Sequence, residues 1–200
     1  MACPVVSPQQ ALRMPQQIAV LRELARSFPD SRTGKNRIYL MEDALLGAFS
    51  VFYTQCASFL AHQTAMTEVQ GKSNAHTLFG MRDIPSDNHI RNLLDPVDPQ
   101  YVFPAFERIF NALKDTGQLD TFRMANGQML IALDGTSYHQ SHAIHCPQCT
   151  VTEHKKGGTS FTHTVVTPVV VSTAHNRVIP LEPEFVTPQD GHAKQDCESA

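Results

Sequence analysis

The sequence predicts a mixed α+β or α/β protein, with an all-helical region over residues 1–120 and mostly antiparallel strands from residue 121 onward. Apolar residues recur at helical spacing in the first region, whereas β-branched residues cluster in the second. Hydrophobic residues make up 42% of the 200 residues, enough for one good core or two small ones. The composition is therefore that of a folded protein.

Two segments define the start of the helical region. Residues 16–28 have one apolar face, whereas residues 41–63 are apolar almost all round and predict a buried central helix. We expect Phe49, Phe52 and Phe59 of this central helix to pack in the core.

Two short helices joined by a tight turn are expected next, within residues 73–95. Ser73 can cap the first helix and Gly80 can end it, while Ser86 can cap the second, which must stop before Pro96. Such a pair is either a DNA-reading helix-turn-helix or two packing elements of a small bundle.

The cations that accompany this pair are Arg82 and Arg91, the first candidates for DNA contacts. Asp98-Pro99 then opens an amphipathic helix that ends at Gly117. Residues 1–120 therefore form a helical region with DNA binding as one of its expected roles.

At residue 121 the sequence period changes from helix to strand. Asn126-Gly127 predicts a hairpin turn, and residues 162–186 add two strands around His175. Pro168 indicates an edge position or a bulge. We expect three strands, with marginal folding and an exposed apolar edge.

Asp134 follows the apolar run MLIAL and precedes Gly135. At the end of a central buried strand, a carboxylate points into the crevice at the sheet edge, where it can bind Mg²⁺ or Mn²⁺. Two-metal phosphoryl chemistry needs several such acids. Asp134-Gly135 is equally typical of a turn, and both interpretations stay open.

The segment at about residues 139–163 is a Cys/His-rich insertion. Two thiolates and two imidazoles suit a tetrahedral structural zinc ion. The expected ligands are Cys146, Cys149, His145 and His154, with His142 and His163 as further candidates. A redox pair is a weaker alternative, because the CxxC motif does not open a helix after a strand, and plain thiols are a third.

Lys155-Lys156 stands within this insertion, directly before Gly157-Gly158. The glycine pair predicts a tight turn, so both lysines are candidates for DNA contacts. The net charge of −3 makes no global argument for nucleic acid, but residues 121–177 carry four Arg/Lys and six His against two acids. A locally basic face is therefore expected.

The five unevenly placed cysteines indicate a reducing cytosol and not a disulfide framework. No run approaches about 18 consecutive apolar residues, and the first residues lack a secretory pattern. We therefore expect a cytoplasmic protein without a membrane span, associated with the nucleoid if it binds DNA.

Several strings together are similar to one family. DALLGAFSVFYTQCASFLAHQ, IPSDNHIRNLLDP, ALDGTSY, CPQC, VIPLEPEFVTPQDG and KQDCE occur in this order. Together they resemble bacterial insertion-sequence transposases of the DDE type, from roughly residue 40 to the last residue. The resemblance implies a helical DNA-binding region followed by an RNase H-like catalytic domain. Asp134 matches the first acid of the catalytic triad, on the first strand of that domain.

In full-length relatives the resemblance implies Mg²⁺-dependent chemistry, with Asp134 as one metal ligand. Water attacks a phosphodiester at the transposon end, and the freed 3′-hydroxyl then attacks target DNA. The implied partners are transposon ends, target DNA, and a second copy or a full-length transposase.

The family's second Asp and its Glu are expected on elements that follow residue 200. Asp190, Asp196 and Glu198 precede the expected second-acid strand, beside a helix expected near Lys194. The resemblance therefore implies a C-terminally truncated chain, with an incomplete RNase H-like domain over 121–200 and no Mg²⁺-dependent strand cleavage. The alternatives are a DNA-binding or regulatory module with a zinc knuckle, and a zinc protein with no nucleic-acid role.

Overall fold

The computed structural model describes residues 8–33, 37–70 and 72–187. Its contacts divide the chain into two compact units, Met1–Ala112 and Leu113–Ala200. The described part of the first unit is mainly helical, and that of the second is built mainly of antiparallel strands. The mixed α+β architecture is therefore confirmed, whereas the helix expected near Lys194 lies outside the described residues.

The helices within the described residues are short. They are α1 (Pro8–Ala11), α2 (Met14–Ala25), α3 (Met41–Thr54), α4 (Phe59–Thr67), α5 (Asn74–Phe79), α6 (Asp87–Leu94) and α7 (Pro104–Asp115). A two-stranded antiparallel ladder joins β1 (Val69–Gln70) to β2 (Lys72–Ser73). Two 3₁₀ helices cover Pro99–Tyr101 and Gln118–Phe122.

The segment predicted as one central helix consists of α3 and α4, which bend by 106° relative to each other. α3 ends because Gln55 adopts the left-handed conformation, with φ 50° and ψ 37°. Ser58 then caps α4, because its Oγ accepts the N–H of Ala61 at 3.1 Å. Phe52 is 81% exposed, so the prediction that it packs in the core was wrong.

Within the described ranges, no single helix has the length and apolar composition needed to cross a membrane. α3 and α4 meet that criterion together, by length and composition, as a bent pair.

α3 is the central helix of the first unit, because it packs against both α2 and α6 and supplies two apolar clusters. Leu46 belongs to one cluster and Ala44 to the other, and both side chains are fully buried. Gly47 allows α6 to approach closely, since a Cβ built on it would lie 3.1 Å from Cδ1 of Ile90. The central position of the apolar segment is thus confirmed for α3.

The capping residues of α5 and α6 are confirmed. The Oγ of Ser73 accepts the N–H of His76, Gly80 ends α5 in the left-handed conformation, and Ser86 caps α6. The connection from Gly80 to Ser86 is longer than the three or four residues of a helix-turn-helix turn. The geometry of α5 and α6 therefore favours packing elements over a DNA-reading pair.

The amphipathic helix expected from Asp98-Pro99 begins later. A 3₁₀ turn follows Asp98, whose side chain accepts the N–H of Gln100 at 2.9 Å, and α7 starts only at Pro104. A proline suits the first turn of a helix because its missing N–H has no intrahelical partner there. Gly117, with φ 72°, lies just beyond the end of the helix, as expected.

The second unit contains more strands than the three that the sequence predicts. In its described part they are β3 (Leu130–Ala132), β4 (Gly135–Ser141), β5 (Thr150–Glu153), β6 (Thr159–Val166), β7 (Val169–Val171), β8 (Ile179–Pro180) and β9 (Glu184–Val186). One sheet has the order β3-β7-β8, and another has the order β4-β6-β5 with β9 also paired to β6. All of these pairings are antiparallel, as predicted.

One antiparallel ladder links the two sheets, and it is interrupted between the β3–β7 pair and the β4–β6 pair. β3 pairs with β7 and β4 pairs with β6, so the chain runs along one extended antiparallel pair. At the interruption, the N–H of Thr167 donates to the carbonyl of Asp134 at 3.2 Å. Pro168 follows and has no N–H to continue the ladder, which explains the break.

Candidate metal centre

Cys146 and Cys149 form a tight turn between β4 and β5. The N–H of Cys149 donates to the carbonyl of Cys146 at 3.1 Å, and the N–H of Cys146 donates to Sγ of Cys149 at 3.3 Å. The turn places the two sulfur atoms 3.8 Å apart, and both thiols are free. This spacing would allow both sulfur atoms to bind one metal ion.

His163 is brought to this turn by the pairing of β6. On one edge of β6, β5 pairs with residues 159–162 and β9 with residues 164–166, so His163 lies at the junction between them. Cys149 directly precedes β5, whose first residue pairs with Thr162, so Cys149 lies beside His163 along β6. Nε2 of His163 lies 3.3 Å from Sγ of Cys146 and 3.2 Å from Sγ of Cys149.

These separations resemble those around a tetrahedral zinc ion. Bonds of about 2.3 Å to sulfur and about 2.0 Å to nitrogen place two sulfurs about 3.8 Å apart and each sulfur about 3.5 Å from the nitrogen. Cys146, Cys149 and His163 are the group of three metal-ligating side chains found within the described residues. Their geometry is therefore compatible with a bound metal ion.

The surroundings of His163 favour its neutral form, which is the form that binds metals. Burial lowers the pKa of His163, and the neighbouring His139 lowers it further. The ring of Tyr138 stacks on His163, with centroids 5.7 Å apart and planes inclined by 20°. Partial burial raises the pKa of Tyr138, and its electrostatic interactions with Cys146 and Cys149 raise this pKa further.

The structure groups His163 with the cysteines, and it brings none of His139, His145 and His154 into that group. His145 stacks on Phe161, with ring centroids 4.4 Å apart. His154 makes a 2.9 Å hydrogen bond with Oγ of Ser160, which lies on the opposite face of β6 from His163. Of the four expected zinc ligands, the structure therefore brings only Cys146 and Cys149 together, with His163 beside them.

His142 is also held away from the sulfur atoms. Its Nδ1 lies 2.9 Å from the carbonyl oxygen of Thr159, and its ring centroid is 6.2 Å from that of His154. The two histidines thus lie together near the start of β6, while the cysteines meet the middle of that strand.

Asp134 lies in the connection between β3 and β4, and its side chain is exposed. The prediction of a buried central strand before it was wrong, because β3 is at the edge of its sheet and Leu130 and Ile131 are 44% and 51% exposed. Within the described ranges, Asp134 belongs to no group of three metal-ligating side chains. Its role as a magnesium ligand stays a prediction.

The four cations considered for DNA contacts are exposed, two in each unit. Arg82 and Arg91 belong to the helical unit. Lys155 and Lys156 lie in the turn between β5 and β6, where the N–H of Gly157 donates to the carbonyl of His154 at 2.8 Å. The predicted tight turn is confirmed, since Gly157 and Gly158 have φ angles of 86° and 99°.

Sequence reasoning missed Tyr138 and His139, whose rings both lie beside His163. The pairing of His139 with His163 depends on the register between β4 and β6, which sequence spacing alone does not give. Nothing in the sequence marks the irregularity at Tyr138, which depends on how two distant strands pair.

No family model, curated protein or solved structure matches this chain. The resemblance to DDE transposases therefore stays a prediction.

Proposed function

We propose that this chain is a zinc-stabilised DNA-binding protein of the DDE-transposase type. The observation that carries the zinc part is the group formed by Cys146, Cys149 and His163, whose ligand atoms lie within 4.8 Å of one another. The six strings that resemble insertion-sequence transposases carry the DNA part, with transposition as the process it serves.

Zinc is the metal that suits this ligand set. Paired thiolates with imidazole are soft to intermediate ligands, which favour zinc over magnesium or calcium. Cys149 is buried, and the Cys146–Cys149 turn directly precedes β5. A metal ion there ties the connection between β4 and β5 to the middle of β6, which is a structural role.

The turn between β5 and β6 is the proposed contact with the DNA backbone. Lys155 and Lys156 are exposed side by side there. A Cβ built on Gly157 or Gly158 would meet nothing within 4 Å, so the turn is accessible from outside. Lysine ammonium groups bind phosphates as point charges, so this turn supports affinity more than sequence reading.

Asp134 is proposed as a magnesium ligand in transposition chemistry. One carboxylate does not hold two metal ions, and two-metal phosphoryl transfer needs more ligands than this side chain offers. DNA binding is therefore the activity expected of the described residues, and we expect no Mg²⁺-dependent strand cleavage. Cleavage that is abolished by Asp134→Asn would overturn this expectation.

The zinc part is tested by metal analysis of the purified, reduced protein. We expect about one zinc ion per chain, lost in Cys149→Ser and retained in Cys56→Ser, which alters a free thiol in the helical unit. A metal-free wild-type protein that folds equally well with and without added zinc would eliminate this part of the proposal.

The DNA part is tested by measuring the affinity for mixed-sequence duplex DNA as a function of salt concentration. Replacing both Lys155 and Lys156 with glutamine should reduce the slope of log affinity against log salt by about 2. Lys114→Gln, which alters an exposed lysine of α7, should leave the slope unchanged. Absence of salt-dependent binding by the wild type would refute the DNA part and leave the zinc part standing.

A further inference from the structure

His139 lies in the row of side chains that crosses the sheet at the level of the candidate metal centre. It is the direct partner of His163 in the antiparallel pairing of β4 with β6. Directly opposed residues of an antiparallel pair point to the same face of the sheet. The Cys146–Cys149 turn approaches His163 from the other edge of β6, so three segments converge on one face.

A β-bulge at Tyr138 adjusts β4 at this point. Ser137 pairs with Thr164 and His139 pairs with His163, so Tyr138 is the extra residue on β4. A bulge bends its strand and changes the direction of the side chains beside it. The rings of Tyr138 and His139 consequently both lie 5.7 Å from that of His163, measured between centroids.

The segment leading to the cysteines already contacts His139. Nε2 of His139 lies 3.4 Å from the carbonyl oxygen of Ile144, two residues before Cys146. This distance is at the outer limit of a hydrogen bond, so little is lost when the ring turns away from that carbonyl.

We propose that His139 is the fourth ligand of the metal centre, which completes a Cys₂His₂ zinc site with Cys146, Cys149 and His163. This inference rests on the zinc part of the proposed function. Binding joins Zn²⁺ to two thiolates and two neutral imidazoles, and the two thiol protons are released to solvent. The product has no net charge and no open coordination position, as a structural site requires.

The other three histidines of the insertion, His142, His145 and His154, contact residues outside the candidate metal centre. His145 is stacked on Phe161, and His142 and His154 contact Thr159 and Ser160. They therefore serve as matched controls, since each carries the same side chain in the same segment.

The test is titration of the full-length reduced protein with Co²⁺ alone and then with Zn²⁺ in competition. Wild type should give the intense visible absorption of four-coordinate Co²⁺. His139→Ala should weaken zinc binding by more than about tenfold and reduce that absorption, because water replaces an imidazole. His145→Ala and His154→Ala should match the wild type in both measurements.

His139→Cys keeps the proposal falsifiable if the alanine variant folds poorly. A third thiolate at this position should retain the four-coordinate spectrum and increase the sulfur-to-cobalt charge-transfer absorption by about half, from two thiolates to three. No increase in that band would overturn the proposal.

Two further outcomes separate this inference from the zinc proposal on which it rests. If His163→Ala loses the metal while His139→Ala keeps wild-type affinity and spectrum, His139 is not a ligand and the zinc proposal stands. If the wild type binds neither Co²⁺ nor Zn²⁺, the zinc proposal itself fails.

Discussion

His62 is a fully buried histidine in the helical unit, and its hydrogen bonds favour its neutral form. The hydroxyl of Ser50 donates to the carbonyl of Gly47 at 2.8 Å, so its oxygen accepts the Nε2–H of His62 at 2.8 Å. Both side chains are fully buried. A second proton would belong on Nδ1, which has no hydrogen-bond partner among the described residues.

The stability of the helical unit should therefore depend on pH through His62. Burial lowers the pKa of His62 from its ordinary 6.5, so below pH 6.5 the unfolded chain binds more protons than the folded chain. The free energy of unfolding should fall as the pH drops from 6.5 through the folded-state pKa. Urea unfolding followed by far-UV circular dichroism at several pH values measures this fall.

His62→Gln is the matched variant, because its amide can still donate to Ser50 but does not titrate. The difference in unfolding free energy between wild type and His62→Gln should change with pH below 6.5 and be constant above it. A difference that is the same at every pH would show that His62 does not titrate on unfolding.

Asp43 changes the free energy of unfolding with pH in the opposite direction to His62, which matters when the pH data are interpreted. Burial raises its pKa above 3.8, although the N–H groups of Arg82 and Asp83 act against that rise. The protonated carboxyl of Asp43 therefore contributes its full share of stability below pH 3.8. This contribution is lost as the pH rises through the folded-state pKa. A loss of stability between neutral pH and pH 5.5 therefore does not come from Asp43.

At the scale of single elements, glycine positions decide where helices can end and still pack. Gly80 ends α5 with φ 62°, a conformation that an L side chain rarely adopts. A Cβ there would lie 2.9 Å from Nη2 of Arg22, whose guanidinium donates to the carbonyls of Phe79 and Gly80. Gly80 thus serves both the turn and the contact with α2.

Gly80→Ala should destabilise the helical unit by about 2 kcal/mol, because left-handed backbone strain adds to displacement of Arg22. Gly127→Ala is the control: its φ is 80°, but a Cβ there meets nothing within 4 Å. It should cost about 1 kcal/mol, from backbone strain alone. Urea unfolding curves measure both losses, and equal losses would show that the Arg22 contact contributes nothing.

The contrast between local and non-local features also explains what the sequence predicted. Ser73, Gly80 and Ser86 were identified because a cap depends on neighbouring residues alone. The end of α3 was missed because Gln55 is not a residue type that marks a left-handed position.

The candidate site was predicted only in part, because one part of it is local in sequence and the other is not. The CxxC turn is local, so Cys146 and Cys149 were found, whereas the partner histidine depends on strand register. A one-residue change in register moves a side chain to the opposite face, and spacing alone does not separate His163 from His154. The burial of β3 was overestimated because an apolar run does not distinguish an edge strand from a central one.

At the scale of the whole molecule, the two units differ in how much apolar surface they bury. The helical unit has two clusters of buried side chains around α3. In the described part of the β-rich unit, the largest buried apolar side chains are Leu119, Phe122, Val170, Ile179 and Val186. Other large side chains of that unit are exposed, namely Leu130, Ile131, Leu133, Tyr138, Ile144, Val151 and Val178.

If the cluster of Cys146, Cys149 and His163 binds zinc as proposed, the thin core predicts that the metal contributes to the folding of the β-rich unit. Chelation of zinc should therefore reduce amide-exchange protection in β4, β5 and β6 and leave α3 unchanged. Hydrogen exchange of the full chain, with zinc and with excess chelator, measures both regions in one sample.

Cys149→Ser should resemble the chelated protein and respond no further to chelator. Equal, strong protection of β4–β6 with and without zinc would contradict this coupling, and it would also refute the expectation of marginal folding. A loss that extended to α3 would instead show that the helical unit depends on the metal as well.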